Sequence, residues 1–309
     1  MLTGPNASAG PKKKVFVTSP SNGASPAAGI AVGTTPIAFS SDRDASAGEM
    51  HLWRVNPDGS GLAQLTTGAG QDDENARWSP DGKEIAFQRS EGASYDIWVT
   101  AADGSEQIAL TRSAGDETNP AWSPNGKRIL YDHWAGSENF GSGLSSLWTM
   151  RADGSHQRRL VRHGEAGDYS PDGTRIVFSA LRPNGLWALR TIRQGASHSR
   201  TFIAPGGADA YDPAWSPDGH WIAYGVVDCS TNPQCDLDIY VVQPSGKGNQ
   251  LVTTNGYQPR WSPDGTQLTF TESIGVSDDV MTVGRDGTGL TDVTPGTSSF
   301  DGFSDWSPI

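Results

Sequence analysis

One five-residue motif recurs along the chain at a nearly constant interval, and it constrains the fold more than any other feature. The motif is W-S-P-[D/N]-G. Its six copies begin at Trp78, Trp122, Tyr169, Trp215, Trp261 and Trp306. The third copy reads YSPDG, and the sixth reads WSPI at the end of the chain. Successive copies start 44 to 47 residues apart, which is the length of one four-stranded blade of a β-propeller.

The segments between the copies share one order of short strands. In the first repeat an apolar triplet at 85–87 follows the Asp-Gly turn, a third strand follows at 96–99, and a fourth follows at 108–111. Glycine suits the intervening turns because they need a positive φ, and the flanking pattern predicts antiparallel hairpins. The sequence therefore predicts an all-β chain with four strands in each blade.

The two ends of the chain complement each other. Residues 37–39, 51–55 and 62–65 match strands two, three and four of a blade that lacks a first strand, and the sixth motif copy provides one. We therefore predict a six-bladed β-propeller over residues 31–309, closed by pairing of the C-terminal strand with the N-terminal strands. Closure removes exposed sheet edges. Residues 1–30 are rich in Gly, Pro, Ala and Ser and are predicted to be a flexible leader.

The repeat resembles that of the TolB-like propellers. The shared features are W-S-P-D-G, then I-A-F, D-I-W-V, D-G-S and a terminal L-T, over roughly residues 37–309. Blade three departs most, with Tyr169 in place of Trp and Arg193-Gln194-Gly195 in place of the acidic second turn. The resemblance implies a propeller that binds proteins, peptides or small ligands at its central channel. Some propellers with similar repeats are polysaccharide lyases.

The charge balance limits the classes of partner. The formal net charge is −12, from 23 basic and 35 acidic side chains, which argues against nucleic acid as a ligand. A cationic ligand or a metal ion remains compatible. No apolar run approaches the ~20 residues that a membrane-spanning helix needs. We expect a monomer that binds a protein, peptide or carbohydrate ligand.

The only two cysteines, Cys229 and Cys235, lie in the segment CSTNPQC. Their spacing allows a small disulfide-closed loop, and the alternative is a pair of unpaired loop thiols. A disulfide predicts an extracytoplasmic protein, either periplasmic or secreted. No signal peptide opens the chain, so an exported protein is expected to begin here at a processed or cloned start.

Acidic and polar residues recur before each Trp, where propeller geometry places the mouth of the channel. The loops between strands two and three share this face. The candidate ligand-binding residues are Asp72, Asp73, Asp116, Glu117, His133, Trp134, His163, Asp209, Tyr211, Asp212 and Tyr257. A Ca²⁺ ion is a candidate cofactor because it prefers oxygen ligands. Its candidate ligands are Asp72, Asp116, Asp209 and Asp212. The alternative is that these acids cap turns and are solvated.

Sequence motifs give catalysis little support. The chain has no G-x-S-x-G, H-E-x-x-H, Walker or G-x-G-x-x-G motif. The favoured hypothesis is a non-catalytic scaffold that docks its ligand on the acidic channel face. The alternative is a lyase acting on polymers of uronic acids, with His133 or His163 as the base and Arg77 and Arg260 as cations. A third hypothesis is a purely structural domain.

Overall fold

The computed structural model describes residues 35–44, 48–92, 94–135, 145–195, 199–203, 205–230, 235–274, 277–296 and 299–308. The regular secondary structure of these residues is entirely β, in 24 strands that form six antiparallel sheets of four. This arrangement confirms the predicted six-bladed propeller. The predicted leader, residues 1–30, lies outside the described residues.

The strands follow the order that the repeat predicts, with the first strand of each blade innermost. Blade one contains β4 (Asp72–Trp78), β5 (Glu84–Ser90), β6 (Tyr95–Ala101) and β7 (Ile108–Ala109). Blade two contains β8 (Asp116–Trp122), β9 (Arg128–Trp134), β10 (Ser145–Arg151) and β11 (Arg158–Arg162). Blade three contains β12 (Glu165–Tyr169), β13 (Arg175–Leu181), β14 (Trp187–Arg193) and β15 (Arg200–Ile203). Blade four contains β16 (Asp209–Trp215), β17 (Ile222–Asp228), β18 (Asp236–Val242) and β19 (Gln250–Thr254). Blade five contains β20 (Gly256–Trp261), β21 (Gln267–Ile274), β22 (Ser277–Gly284) and β23 (Thr291–Asp292). Blade six contains β24 (Asp301–Trp306), β1 (Ile37–Ser41), β2 (His51–Val55) and β3 (Ala63–Gln64).

The ring closes within blade six, as the chain ends predict. Strand β24 pairs with β1 in a register that sets Ile37 opposite Trp306 and Ser41 opposite Asp301. The Ser307 N–H also donates to the Pro36 carbonyl at 2.8 Å. Each inner strand contacts the next around the full circle, so β4, β8, β12, β16, β20 and β24 surround one axis.

The hydrophobic core is divided into six wedges between neighbouring blades. Each wedge contains the aromatic residue of one motif copy, packed against apolar side chains of the preceding blade. Between blades one and two, for example, Trp122 packs with Ile97 and Val99. The Trp122 indole also donates to the Arg77 carbonyl in blade one at 3.2 Å. The motif tryptophans therefore join the blades.

Every inner strand contains a β-bulge three residues before its motif aromatic. The register of each inner strand shifts at that point. The residues there have φ between 49° and 60°, a left-handed conformation that non-glycine residues adopt at a cost. They are Asn75, Asn119, Ala166, Asp212, Gln258 and Phe303. Three of their N–H groups donate to second-strand side chains of the preceding blade: Asn119 to Gln88, Ala166 to Asp132 and Phe303 to Thr271. These bonds offset part of the strain.

Replacing Trp306 with Ala tests the closing wedge. The indole is 4% exposed and packs with Ile37 and Phe39, so we expect Trp306→Ala to lower the free energy of unfolding by about 3–5 kcal/mol. Urea unfolding measures this change. The control is Leu290→Ala in blade five, where the side chain is 49% exposed, and we expect a change within about 0.5 kcal/mol. Equal effects of the two substitutions would contradict the wedge assignment.

Candidate functional site

The acidic residues predicted at the channel mouth lie within the inner strands and not in the loops before them. Strand β4 begins at Asp72, β8 at Asp116 and β16 at Asp209. Because these residues open the strands, their side chains reach the neighbouring blade. The Asp72, Asp116 and Asp209 carboxylates bond to neighbouring blades, so the alternative of solvated turn caps does not describe these three residues.

Three of these carboxylates hold adjacent blades together. Each accepts a hydrogen bond from a backbone N–H at the beginning of the preceding blade's third strand. The bonds run from Met50 to Asp72 (3.0 Å), from Tyr95 to Asp116 (2.9 Å) and from Trp187 to Asp209 (2.7 Å). We call these bonds the inter-blade carboxylate clasps. They give the three residues a structural role that their position in the sequence does not reveal.

The predicted calcium ligands do not form one group. Among the residues that the structure describes, no three His, Cys, Asp or Glu side chains lie close enough together to hold a metal ion. Three of the four predicted ligands, Asp72, Asp116 and Asp209, belong to the clasps. The fourth, Asp212, is a buried bulge residue. These four carboxylates, as the structure arranges them, do not fit a single Ca²⁺ site.

Two further predicted residues, Asp73 and Glu117, occupy equivalent positions in blades one and two, and each contacts a basic side chain of the second strand of its blade. The Asp73 carboxylate receives two bonds from the buried Arg89 guanidinium, at 2.6 and 2.8 Å. The Glu117 carboxylate contacts His133 Nδ1 at 2.6 Å and accepts a bond from the Ser113 hydroxyl at 2.6 Å. Burial raises the pKa of Glu117, against the lowering effect of these two partners. The serine bonds to the carboxylate and not to the imidazole, so the trio differs from a nucleophilic triad.

The predicted aromatic and histidine residues divide into two groups. Trp134 ends strand β9 and is 5% exposed, so its indole is buried, and its predicted contact with a ligand stays a prediction. The imidazole of His133 is 26% exposed and lies 5.3 Å from the Trp148 ring. His163 is exposed, in the turn between β11 and β12. Phe140, expected beside Trp134, lies outside the described residues.

The tyrosines predicted at the mouth lie beside carboxylates on blades four and five. Tyr211 packs 5.7 Å from the Trp187 ring, and burial and the nearby Asp209 carboxylate raise its pKa. The Tyr257 hydroxyl donates to Asp278 at 3.1 Å. Burial and the Asp278 charge likewise raise the pKa of Tyr257. Both phenols therefore stay protonated at neutral pH and can donate hydrogen bonds.

Two buried arginines occupy the inner strands directly before their motif tryptophans. Arg77 and Arg260 are 1% and 0% exposed. Burial and the neighbouring Arg77 lower the pKa of Arg260 to about 9, and burial lowers the pKa of Arg77. The carboxylates of Asp168, Asp212 and Asp305 favour the charged form of both guanidiniums. These cations are therefore neutralised inside the ring and are poor candidates for binding a uronate carboxylate.

Two buried acids at the interface of blades two and three were missed from the sequence. Asp132 accepts bonds from the Asn119 amide at 2.7 Å and from the Ala166 N–H at 2.9 Å, and burial raises its pKa to about 7. Burial and the Asp132 charge raise the pKa of Glu165 well above its usual range. Asp132 follows the apolar triplet of strand two, where the other blades place Gln, Ser, Gly or Thr, and this contrast was the available signal.

Two pairs of acidic residues on the channel face were also missed. Strands two and three of blade four set Asp228 opposite Asp236, and those of blade five set Glu272 opposite Asp279. We call these two hairpin ends the acidic hairpins. Like charges directly opposite each other are destabilising. Burial and four surrounding carboxylates, Asp292 foremost, raise the pKa of Asp279 to about 6.

A disulfide closes one of the acidic hairpins. Cys229 and Cys235 are bonded, with an S–S distance of 2.01 Å. These cysteines directly follow Asp228 and directly precede Asp236. The cross-link therefore holds two like charges together that would otherwise separate the strand ends.

The raised pKa of Asp132 predicts a pH-dependent stability. A carboxyl group whose pKa is higher in the folded protein contributes stability at low pH, and this is lost as pH rises through the folded value, here about 7. We expect the urea concentration at the unfolding midpoint to fall between pH 5.5 and about 8. Asp132→Asn should flatten this slope because an amide does not titrate in this range. The substitution should keep the fold, because one amide oxygen can accept both bonds.

Asp81→Asn is the matched control for this measurement. Burial raises the pKa of Asp81, but hydrogen bonds from Ser79 and Lys83 in its turn outweigh this and lower the pKa, so the group titrates below this pH range. Asn125 occupies the same place in blade two, so the turn tolerates the amide. A slope unchanged by Asp132→Asn would contradict the role assigned to this carboxyl group.

Solved structures share this architecture at low sequence identity. TolB from Acinetobacter baumannii superposes with a TM-score of 0.77 and 18% identity, over 90% of this chain and 67% of that one. A chain of a nidogen/laminin complex gives 0.69 and 10%, over 88% and 98%. An oligogalacturonate lyase from Vibrio parahaemolyticus gives 0.56 and 13%, over 90% and 76%. At these identities the likeness shows the fold alone.

Sequence comparison establishes the family. No curated protein matches the chain significantly. In the part of the chain that the structure describes, no helix is long and apolar enough to cross a membrane. Residues 13–168, half of the chain, match the TolB beta propeller domain family. The chain therefore belongs to the TolB beta propeller domain family.

Proposed function

We propose that this protein is a non-catalytic binding module that docks a cationic segment of a protein or peptide on its channel face, at the acidic hairpins. The observation that carries the proposal is the pairing of like charges, Asp228 with Asp236 and Glu272 with Asp279. Like charges placed opposite each other repel, most clearly at Asp279, whose pKa burial and the surrounding carboxylates raise, and a bound cation relieves that repulsion.

The surroundings of the acidic hairpins support a cationic partner. Asp238 lies in the same strand as Asp236, and burial and the charges of Asp236 and Asp228 raise its pKa. In blade five, Tyr257 donates to Asp278 and adds an aromatic ring beside the carboxylates. A lysine or arginine side chain suits such a surface through its charge and through cation–π contact.

The disulfide supports both the binding role and an extracytoplasmic location. It fixes the separation of Asp228 and Asp236 before a ligand arrives, so less conformational freedom is lost on binding. Disulfides persist in the periplasm and outside the cell. We therefore propose that the protein functions in one of these compartments.

The alternative function, uronate lyase activity, has less geometric support. Arg77 and Arg260 are buried among three carboxylates, and His133 is bonded to Glu117. A lyase needs a base together with an accessible cation to stabilise the negative charge that develops on the substrate. The described residues of the channel face do not combine the two around His133.

Calorimetric titration with a tetralysine peptide at low salt tests the proposal. The double variant Glu272→Gln/Asp279→Asn removes two charges that repel each other, so we expect the thermal midpoint to stay the same or rise. We expect tetralysine binding to weaken by at least about tenfold, equivalent to about 1.4 kcal/mol.

The matched control removes two charges from the opposite face. Asp103 and Asp153 are exposed acids in the second turns of blades one and two, and Asp103→Asn/Asp153→Asn changes the net charge equally. We expect the affinity for tetralysine to change by less than about twofold, because these two screened charges lie far from the ligand. Equal weakening by both double variants, or ultraviolet-absorbing products from a uronate polymer, would overturn the proposal.

The same binding should depend on pH. Protonation of Asp279, whose pKa is about 6, removes a charge from the acidic hairpins. We expect tetralysine affinity to be highest above pH 7 and to decline as pH falls through 6. The Asp279→Asn variant should lose this dependence, and a pH profile that it shares with the unchanged protein would contradict the assignment.

A further inference from the structure

A second concave site lies between blades two and three, at the motif turns and therefore on the face opposite the acidic hairpins. Its volume is about 530 Å³, within the ~300–1,000 Å³ range of small-molecule sites. The SPNG turn of blade two and the SPDG turn of blade three form its walls. Its charged or aromatic lining residues are Lys127, Arg128, Tyr169, Asp172 and Arg193. We call this site the turn-face pocket.

Three departures from the repeat meet in this pocket. The turn of blade two has Asn125 where the other complete copies have Asp. The inner strand of blade three ends in Tyr169 where the other blades have Trp. The third strands of blades two and three both end in arginine, Arg151 and Arg193. After Arg193 come Gln194 and Gly195, where blades one and two have an Ala-Asp pair. Each change removes an acid or reduces the size of a side chain.

The interface between blades three and four contains a stacked pair of side chains that is altered at the pocket. Between blades three and four, Arg175 stacks over the Trp215 ring at 4.7 Å. The corresponding residues between blades two and three are Arg128 and Tyr169, because each arginine opens the second strand of its blade. A phenol is smaller than an indole. The Tyr169 hydroxyl lies 3.4 Å from Thr149 and also bonds with Gln194. The smaller ring leaves room beside the Arg128 guanidinium.

The pocket is cationic in a protein of net charge −12. Within the described residues, Lys127, Arg128 and Arg193 form no ion pair with a carboxylate. Arg128 Nη1 is buried without a hydrogen-bond partner. The one acid in the lining, Asp172, accepts bonds from Ser170 and Thr174 within its own turn. An anion would therefore meet three cations and little opposing charge.

We propose that the turn-face pocket binds a small organic anion, a sugar that carries a phosphate or carboxylate group. Guanidinium groups bind both oxyanions through paired N–H donors. The side chains of Asn125, Thr174 and Gln194 add neutral hydrogen-bonding groups that suit sugar hydroxyls. This site is separate from the acidic hairpins and does not depend on the function proposed for them.

Calorimetric titration with glucose 6-phosphate, galacturonate and neutral galactose tests the site. We expect at least one of the two anions to bind and galactose not to bind. Arg193→Gln and Lys127→Gln should each weaken that binding by at least about fivefold. Lys83→Gln is the matched control, since Lys83 occupies the position of Lys127 in blade one, and it should change the affinity by less than about twofold.

Tyr169→Trp gives an independent test because it restores the residue of the repeat. The indole should fill the space beside Arg128 and abolish anion binding, while the thermal midpoint stays the same or rises. If this variant unfolds early, the lysine and arginine variants decide. The proposal is overturned if neither anion binds, if galactose binds equally, if Lys83→Gln weakens binding as much as Lys127→Gln, or if a stable Tyr169→Trp protein keeps its affinity. Glu272→Gln/Asp279→Asn should leave anion binding unchanged.

Discussion

Contacts between adjacent blades are the constraint on which this structure depends. A four-stranded blade has two faces and cannot bury either of them by itself, so its apolar residues are covered only when the neighbouring blades are present. The six wedges provide that cover, each with one motif aromatic. The pairing of β24 with β1 keeps all six wedges in contact at once, because without it the two blades at the opening would each lose a partner.

Polar contacts also join adjacent blades. The inter-blade carboxylate clasps and the bonds to the bulge residues run from one blade to the next near the axis. Buried backbone groups need partners, and the inner strands cannot pair with each other as sheets do. The acidic side chains at the start of the inner strands therefore stabilise the contacts between blades. The carboxylates of the acidic hairpins lie opposite each other across a strand pair, and this is the surface where we propose that a ligand binds.

The blade number, the strand order and the closing strand could all be predicted from the repeat, because each motif copy marks one structural unit. The roles of the acidic residues could not. Asp72 and Asp116 resemble loop residues in the sequence, and only the ring geometry brings the N–H groups of Met50 and Tyr95 to them. The bulge was hidden for another reason: its six positions hold five residue types, as different as Asn119 and Phe303, in one backbone conformation. The pairing of Glu272 with Asp279 depends on register, which the composition of a hairpin does not reveal.

Closure without a covalent bond also means that the ring has no obligatory starting point. Pro36 and Ser307 are joined by a backbone bond, so the first and last blade residues are already neighbours. A short peptide linker there could replace the present chain break, and the break could be moved to a connection between any two other blades.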